Sequence, residues 1–367
     1  MRTQERPGDT GSVVDMKEVR ATVLGAAILF AYVVAVLGSG RVDGEQFLRL
    51  LLTYLTGSLA LWFVLGVAIV GVQLCWNARK SGRDSFLVAY ASSTLLARWR
   101  RDWGASLVWP PVLFASLMAS FNAFKQLVLP LAGYSFDPFL AKADRLFFLG
   151  TDGWRVTHAI FGSAQATAMI DRLYHGWFVP MALGVLICAW LPASTYRLRT
   201  QYLLSYTGVW IVLGSVLAFL TPSAGPCFYS RLVGPSPEFA SLMTRLNQIQ
   251  TSTGEPLMAL RNQAMLLQAH GSDQLVIGGG ISAMPSVHNG LAILFALAGW
   301  QLSKPVGALL AVYAALVWIG SIHLGWHYGL DGVIAAVATF VMWRICGRIA
   351  DRLERPLFSA SAEPALA

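Results

Sequence analysis

Eight stretches of this chain are apolar over most of their length: about 21–38, 47–74, 105–130, 173–191, 202–220, 286–302, 305–322 and 327–345. A helix needs roughly 20 such residues to cross about 30 Å of hydrocarbon. The reading is therefore an all-α, polytopic membrane protein with about eight transmembrane helices. Composition agrees: 56% of the residues are hydrophobic and 13% charged, where soluble domains carry roughly a quarter charged. The second run is long enough to tilt or to project past the bilayer.

The formal charge of +8 could suggest nucleic acid, but the cations sit mainly between the apolar runs, so they report topology. With the N-terminus in the cytoplasm, seventeen Lys and Arg fall inside and eight outside. This places both termini in the cytoplasm, and 131–172 and 221–284 outside. The first of these outer segments, with D-P-F-L-A-K-A-D-R, reads as short amphipathic helices in the interface. The second begins T-P-S-A-G-P-C-F-Y and ends in the triplet Gly278–Gly280; segments over a membrane site often act as lids or selectors. On the inner side, L-L-A-R-W-R-R-D-W at 95–103 reads as a basic, Trp-anchored surface helix suited to anionic headgroups. Only Cys227 lies outside, so no outer intrachain disulfide is expected.

Two motifs then fall at one depth. The first is A-M-P-S-V-H-N-G at 283–290 and the second H-L-G-W-H-Y-G-L-D at 323–331. Pro285 suits the first position of a helix. The backbone N–H groups after it, with the Ser286 hydroxyl, would form an anion site. His288, one turn in, could protonate a leaving oxygen. His327 and Asp331, at i and i+4 on one helical face, can hydrogen-bond, leaving the other imidazole nitrogen free as nucleophile or base. Lys125, in the third run, reaches the same outer level, where a phosphate oxygen would partner its charge. Each feature has a plainer reading as a helix start, a capped end or a snorkelling lysine. A further alternative is a metal face of His323, His327 and Asp331, against which Gly325 argues by breaking the helix between the histidines. No Walker loop, Gly-rich kinase loop or Cys-rich metal pattern is found, and no cofactor is expected. Cation, anion-binding helix mouth, proton donor and oriented imidazole together describe phosphoryl transfer.

P-S-V-H and H-x3-D resemble the second and third motifs of the type 2 phosphatidic acid phosphatase superfamily. The resemblance implies a six-helix catalytic core, His327 as a nucleophile forming a phosphohistidine, His288 as acid/base and Asp331 as its orienter, without a divalent metal. The chain has Val287 where the common pattern has glycine, and Ser321 where it has an arginine six residues before the nucleophile. The Lys…Arg-Pro first motif is absent. These departures, with F-N-A-F-K-Q, D-P-F-L-A-K-A-D-R and G-P-C-F-Y, resemble the inositol phosphorylceramide synthase branch over roughly 110–340. With the motif arginine missing, Lys125 and then Arg231 are the candidate phosphate cations.

The expected organisation is a tail, two helices and a basic inner loop over 1–104, a catalytic domain over 105–345 and a tail over 346–367. The expected partners are a phospholipid donor and a lipid alcohol acceptor or water, with no nucleic acid. Transfer, hydrolysis, or non-catalytic lipid transport or scaffolding are the three functions in view. The short termini point to a bacterial plasma membrane, with a Golgi membrane the eukaryotic counterpart.

Overall fold

The computed structural model describes residues 16–81, 100, 102, 104–254 and 256–355. Every regular element among them is helical. Most of the expected 95–103 surface helix, and parts of both tails, lie outside the described residues.

Helices α1 (Met16–Leu37) and α2 (Gly44–Ser81) follow each other over a short connection, and both pack on the next long helix. In α1, Leu29, Tyr32 and Val36 are buried while Phe30 and Val34 are exposed, a stripe facing the bundle with a lipid-facing back. Tyr32 Oη and Ser215 Oγ lie 2.7 Å apart. At the other end of α1 a buried ion pair joins Glu18 to Arg199. The expected first two spans therefore pack on the remaining helices.

Helix α3 (Ala105–Ala123) continues through a π-helical turn at Phe124–Val128 and a 3-10 turn at Leu129–Ala132. Pro130 has no N–H to bond the carbonyl four residues back, which disfavours a regular α ladder at that point. Three shorter helices follow: α4 (Asp137–Phe147), α5 (Gly153–Ile160) and α6 (Ala164–His175). In α4 Asp137, Leu140 and Asp144 are buried, whereas Phe139 and Leu146 are exposed, the amphipathic pattern expected of this segment. Helix α6 runs on through α7 (Phe178–Leu186) as one apolar stretch, Ala164–Trp190. The fourth span thus begins nine residues before the expected 173. Helix α8 (Tyr196–Gly208) extends through a π-helical stretch, Val209–Leu217, to Leu220.

The segment after Leu220 is more structured than a lid loop. It holds α9 (Pro226–Leu232), α10 (Pro237–Thr253) and α11 (Met258–Ala269). Ser236 Oγ accepts the Phe239 N–H to cap α10, which buries Leu242, Leu246 and Ile249 at helical spacing. The last three helices are α12 (Val287–Leu302), α13 (Lys304–His323) and α14 (Gly329–Glu354). Among the described residues seven helical stretches are long and apolar enough to cross a membrane; α12, the expected sixth span, is shorter at 16 residues, about 24 Å at 1.5 Å per residue. Ser303 Oγ accepts the Val306 N–H, so α13 starts where α12 stops. α12 buries residues on all sides, and the mouth of this central helix carries His288.

Candidate active site

α13 ends at His323 and α14 starts at Gly329, so the turn between them carries His327. Gly325 sits at φ +75°, and a Cβ there would meet Leu242 Cδ2 at 2.9 Å, which makes glycine the fitting residue. The carbonyl of Ser321 accepts the N–H groups of both Trp326 (2.9 Å) and His327 (3.1 Å). His327 therefore precedes α14 and does not share a helical face with Asp331 as its spacing suggested. The pair meets through a cap instead. Asp331, in the first turn of α14, accepts the Tyr328 N–H on Oδ2 at 3.0 Å, and the same oxygen lies 3.3 Å from His327 Nδ1. Asp331 is fully buried, and its Oδ1 has no hydrogen-bond partner among the described residues.

His288 is the second residue of α12, and its Nδ1 lies 3.3 Å from His327 Nε2. A proton on His327 Nδ1, facing Asp331, leaves Nε2 as the acceptor, so the shared proton belongs to His288 Nδ1. The His288 ring is held edge-on by Trp177 at 4.3 Å, with Tyr174 at 5.6 Å. Ser286 is the N-cap, so Pro285 precedes the cap and is not in the first turn as expected. The fully buried Ser286 hydroxyl accepts from Asn289 N (3.3 Å) and Nδ2 (2.9 Å). The hydroxyl expected to join an anion site is engaged in capping α12. Asn289 Nδ2 also reaches Ser321 Oγ at 3.3 Å, joining the starts of both histidine segments.

Lys125 lies on the π-helical turn, half-buried, within electrostatic reach of His288. Asn122, three residues before it, and Gln126, next to it, grip the segment that precedes α12. Asn122 Oδ1 accepts Gly278 N at 2.6 Å, Gln126 Oε1 accepts Val276 N at 2.9 Å, and Gln126 Nε2 donates to Gln274 O at 2.5 Å. The glycine-rich end of that segment is thereby tied to the lysine turn. Arg231 is near the end of α9 and exposed; the structure does not bring it to the histidine pair.

The metal alternative meets a direct obstacle in His323. Its ring stacks on His158 at 3.8 Å. Thr157 Oγ donates to the Trp154 carbonyl, so His323 Nδ1 donates to Thr157 Oγ at 3.2 Å. Nε2 then accepts from Thr167 Oγ at 2.9 Å. With both nitrogens engaged, His323 does not join His327 and Asp331. On the far side of the stack, Arg245 Nε donates to His158 Nδ1 at 2.8 Å, and His158 Nε2 donates to the His323 carbonyl at 2.9 Å. Among the described residues no group of three His, Cys, Asp or Glu could hold a metal ion.

Two carboxylates near the site had no role assigned from the sequence, although Asp144 lies within D-P-F-L-A-K-A-D-R. Asp144 Oδ1 accepts the Leu330 N–H at 3.1 Å, sharing the start of α14 with Asp331. Burial lifts its carboxyl to about 7 against the opposing backbone bonds, with the Asp331 charge adding to the rise. Asp171 sits 3.2 Å from His175 Nδ1 while capping α11 through the N–H groups of Met258 (2.6 Å) and Ala259 (3.0 Å). His175 is within electrostatic reach of His288. D-R-L-Y-H has the spacing of H-Y-G-L-D in reverse, the one signal in the chain that could have found this pair.

An oriented imidazole facing a second, proton-bearing imidazole can attack an electrophile with one ring and protonate the departing group with the other. The profile of the PAP2 superfamily matches residues 138–345, more than half of the chain; the match takes in His288, His327 and Asp331 and leaves out Lys125. No curated protein and no solved structure matches the chain. The protein is a polytopic helical membrane protein that belongs to the PAP2 superfamily.

Proposed function

We propose that this protein is a lipid phosphotransferase that works through a phosphohistidine on His327, moving a phospho-headgroup such as phosphoinositol from a phospholipid to a lipid hydroxyl such as that of ceramide. The observation that carries the reading is the 3.3 Å approach of His327 Nε2 to His288 Nδ1 with Asp331 behind His327. Membership of a superfamily of phosphoesterases supports the general chemistry.

In the first half-reaction His327 Nε2 attacks phosphorus and the ester P–O bond to diacylglycerol breaks. His288 gives the leaving oxygen its Nδ1 proton, while Asp331 holds the proton on His327 Nδ1 and stabilises the cation that forms. A substrate phosphorus entering between the two rings has to part them. In the second half-reaction the acceptor hydroxyl gives its proton to His288 and attacks phosphorus, the P–N bond breaks and His327 is regenerated. Lys125 supplies positive charge toward the phosphoryl oxygens in place of the motif arginine. None of these steps uses a metal. Water as acceptor would make the same residues a lipid phosphatase. The distribution of Lys and Arg supports an extracytoplasmic active site.

The test is incubation of the purified protein in lipid nanodiscs with headgroup-labelled phosphatidylinositol and ceramide. Transfer puts the label in a ceramide phosphodiester. Release of labelled inositol phosphate makes the protein a hydrolase, and recovery of unchanged donor would return it to transport or scaffolding.

A further inference from the structure

Asp137 is the first residue of α4, one position outside the matched profile, and it is fully buried. Four donors converge on its carboxylate. Ser223 Oγ, Gly225 N and Tyr328 Oη each reach Oδ1 at 2.9 Å, and Ala224 N reaches Oδ2 at 2.7 Å. Burial raises its pKa, and those four bonds oppose the rise.

The partners lead to both histidines. The Ser223 carbonyl accepts the Ala283 N–H at 2.8 Å, five residues before His288. Cys227, just beyond the same turn, donates its N–H to the Gly325 carbonyl at 2.8 Å, two residues before His327. Tyr328, bonded to Asp137 directly, follows His327. One buried carboxylate therefore fixes the turn at 223–225, which bonds the segment leading to His288, and also grips Tyr328 beside His327. Bonds to an ionised acceptor are shorter and roughly twice as strong as neutral ones.

We propose that Asp137 is a positioning residue that sets the separation of His288 and His327. The proposal rests on reading that pair as the reacting groups. A carboxylate is needed because donors approach both oxygens. An amide at this position can accept on one side only. With its oxygen toward the three donors, its NH2 opposes the Ala224 N–H, which loses its acceptor. Tyr328→Phe is the milder perturbation, since it removes one donor of four and leaves the turn in place. A role confined to stability would instead lower the amount of folded protein and leave the chemistry of the remainder unaltered.

The experiment uses the full chain in nanodiscs, as wild type, Asp137→Asn and Tyr328→Phe, with two readouts. The first is kcat and KM with labelled phosphatidylinositol and ceramide. Asp137→Asn should lower kcat by about 10- to 100-fold, the usual effect of losing a residue that orients a working group, with KM unchanged and Tyr328→Phe intermediate. The second is deuterium exchange at each imidazole C2 across pH, read by mass spectrometry. The midpoints of His288 and His327 should move, while those of the His158–His323 stack stay. Unmoved His288 and His327 midpoints with wild-type kcat would overturn the assignment. So would activity lost only in proportion to folded protein with the midpoints in place. If Asp137→Asn does not fold, Tyr328→Phe decides by the same criteria. Wild-type protein that turns over no lipid would refute the proposed function, while the midpoints still decide the role of Asp137.

Discussion

Asp331→Asn probes the site at its most constrained atom. Oδ2 of Asp331 takes both His327 Nδ1 and Tyr328 N, while Oδ1 is buried with no hydrogen-bond partner among the described residues. The amide can settle in two ways. With its oxygen in the Oδ2 place it keeps both bonds, loses the charge that stabilises the His327 cation, and buries an NH2 with nothing to receive it. That unsatisfied group costs about 1–3 kcal/mol of stability. With its NH2 in the Oδ2 place it faces the Tyr328 N–H and pushes the His327 proton onto Nε2, the nitrogen required for attack. Either arrangement should lower phosphoenzyme formation by about 10^3- to 10^4-fold, the size of effect seen when an orienting aspartate becomes an amide in a hydrolase triad. At 1.36 kcal/mol per decade this is about 4–5 kcal/mol of transition-state stabilisation. The assay is a single-turnover experiment with labelled donor, with a melting curve confirming the fold. A folded Asp331→Asn protein within tenfold of wild type would refute the reasoning.

Other outcomes follow from the same geometry. Lys125→Met should cost about 2–4 kcal/mol in kcat/KM and Lys125→Arg should restore only part of it; unchanged kinetics would remove Lys125 as the phosphate cation. His323→Ala should lower stability by about 2–4 kcal/mol by emptying the stack on His158, with activity surviving chelation; chelator inactivation reversed by one divalent ion would restore the metal reading. Asp144, at about 7 when folded against 3.8 as a free side chain, binds a proton in the folded protein that the unfolded chain releases. Its contribution is therefore fullest below about pH 4 and declines as pH rises through 7. Asp144→Asn should match wild type near pH 4 and be the more stable protein at pH 8, as measured by melting curves; equal pH dependence of the two would contradict the shift. Cysteines introduced at 131–160 and 221–284 should react with an impermeant reagent in intact cells; protection of both segments would reverse the proposed orientation.

The class of fold could be read from hydropathy because a membrane demands it of the backbone, and α1, α3 and α13 lie where their apolar runs place them. What hydropathy does not record is where a helix stops. α12 is as apolar as its neighbours, yet two serine caps hold it to 16 residues. Helices α9 to α11 lie in a stretch that reads as a lid or selector, and their mixed sequence, with Pro and Gly at either end, does not announce the Leu242, Leu246 and Ile249 stripe that α10 buries. At the site, His288, His327 and Asp331 were found from residue type and spacing, although Gly325 turns His327 off the helix and a cap makes the contact. Ser286 proved to be the cap itself. Asp137 lies in D-P-F-L-A-K-A-D-R and Asp171 in D-R-L-Y-H, yet neither pattern names their backbone N–H partners, which come from distant segments.

The most direct test of the phosphohistidine is to trap it. Purified protein is mixed with phosphate-labelled phosphatidylinositol without acceptor, quenched under alkaline conditions and digested for peptide mass spectrometry. An acid-labile label is expected on His327, absent from His327→Ala and discharged when ceramide is added before the quench. Label that appears on another residue, or turnover by folded His327→Ala at the wild-type rate, would contradict the phosphohistidine.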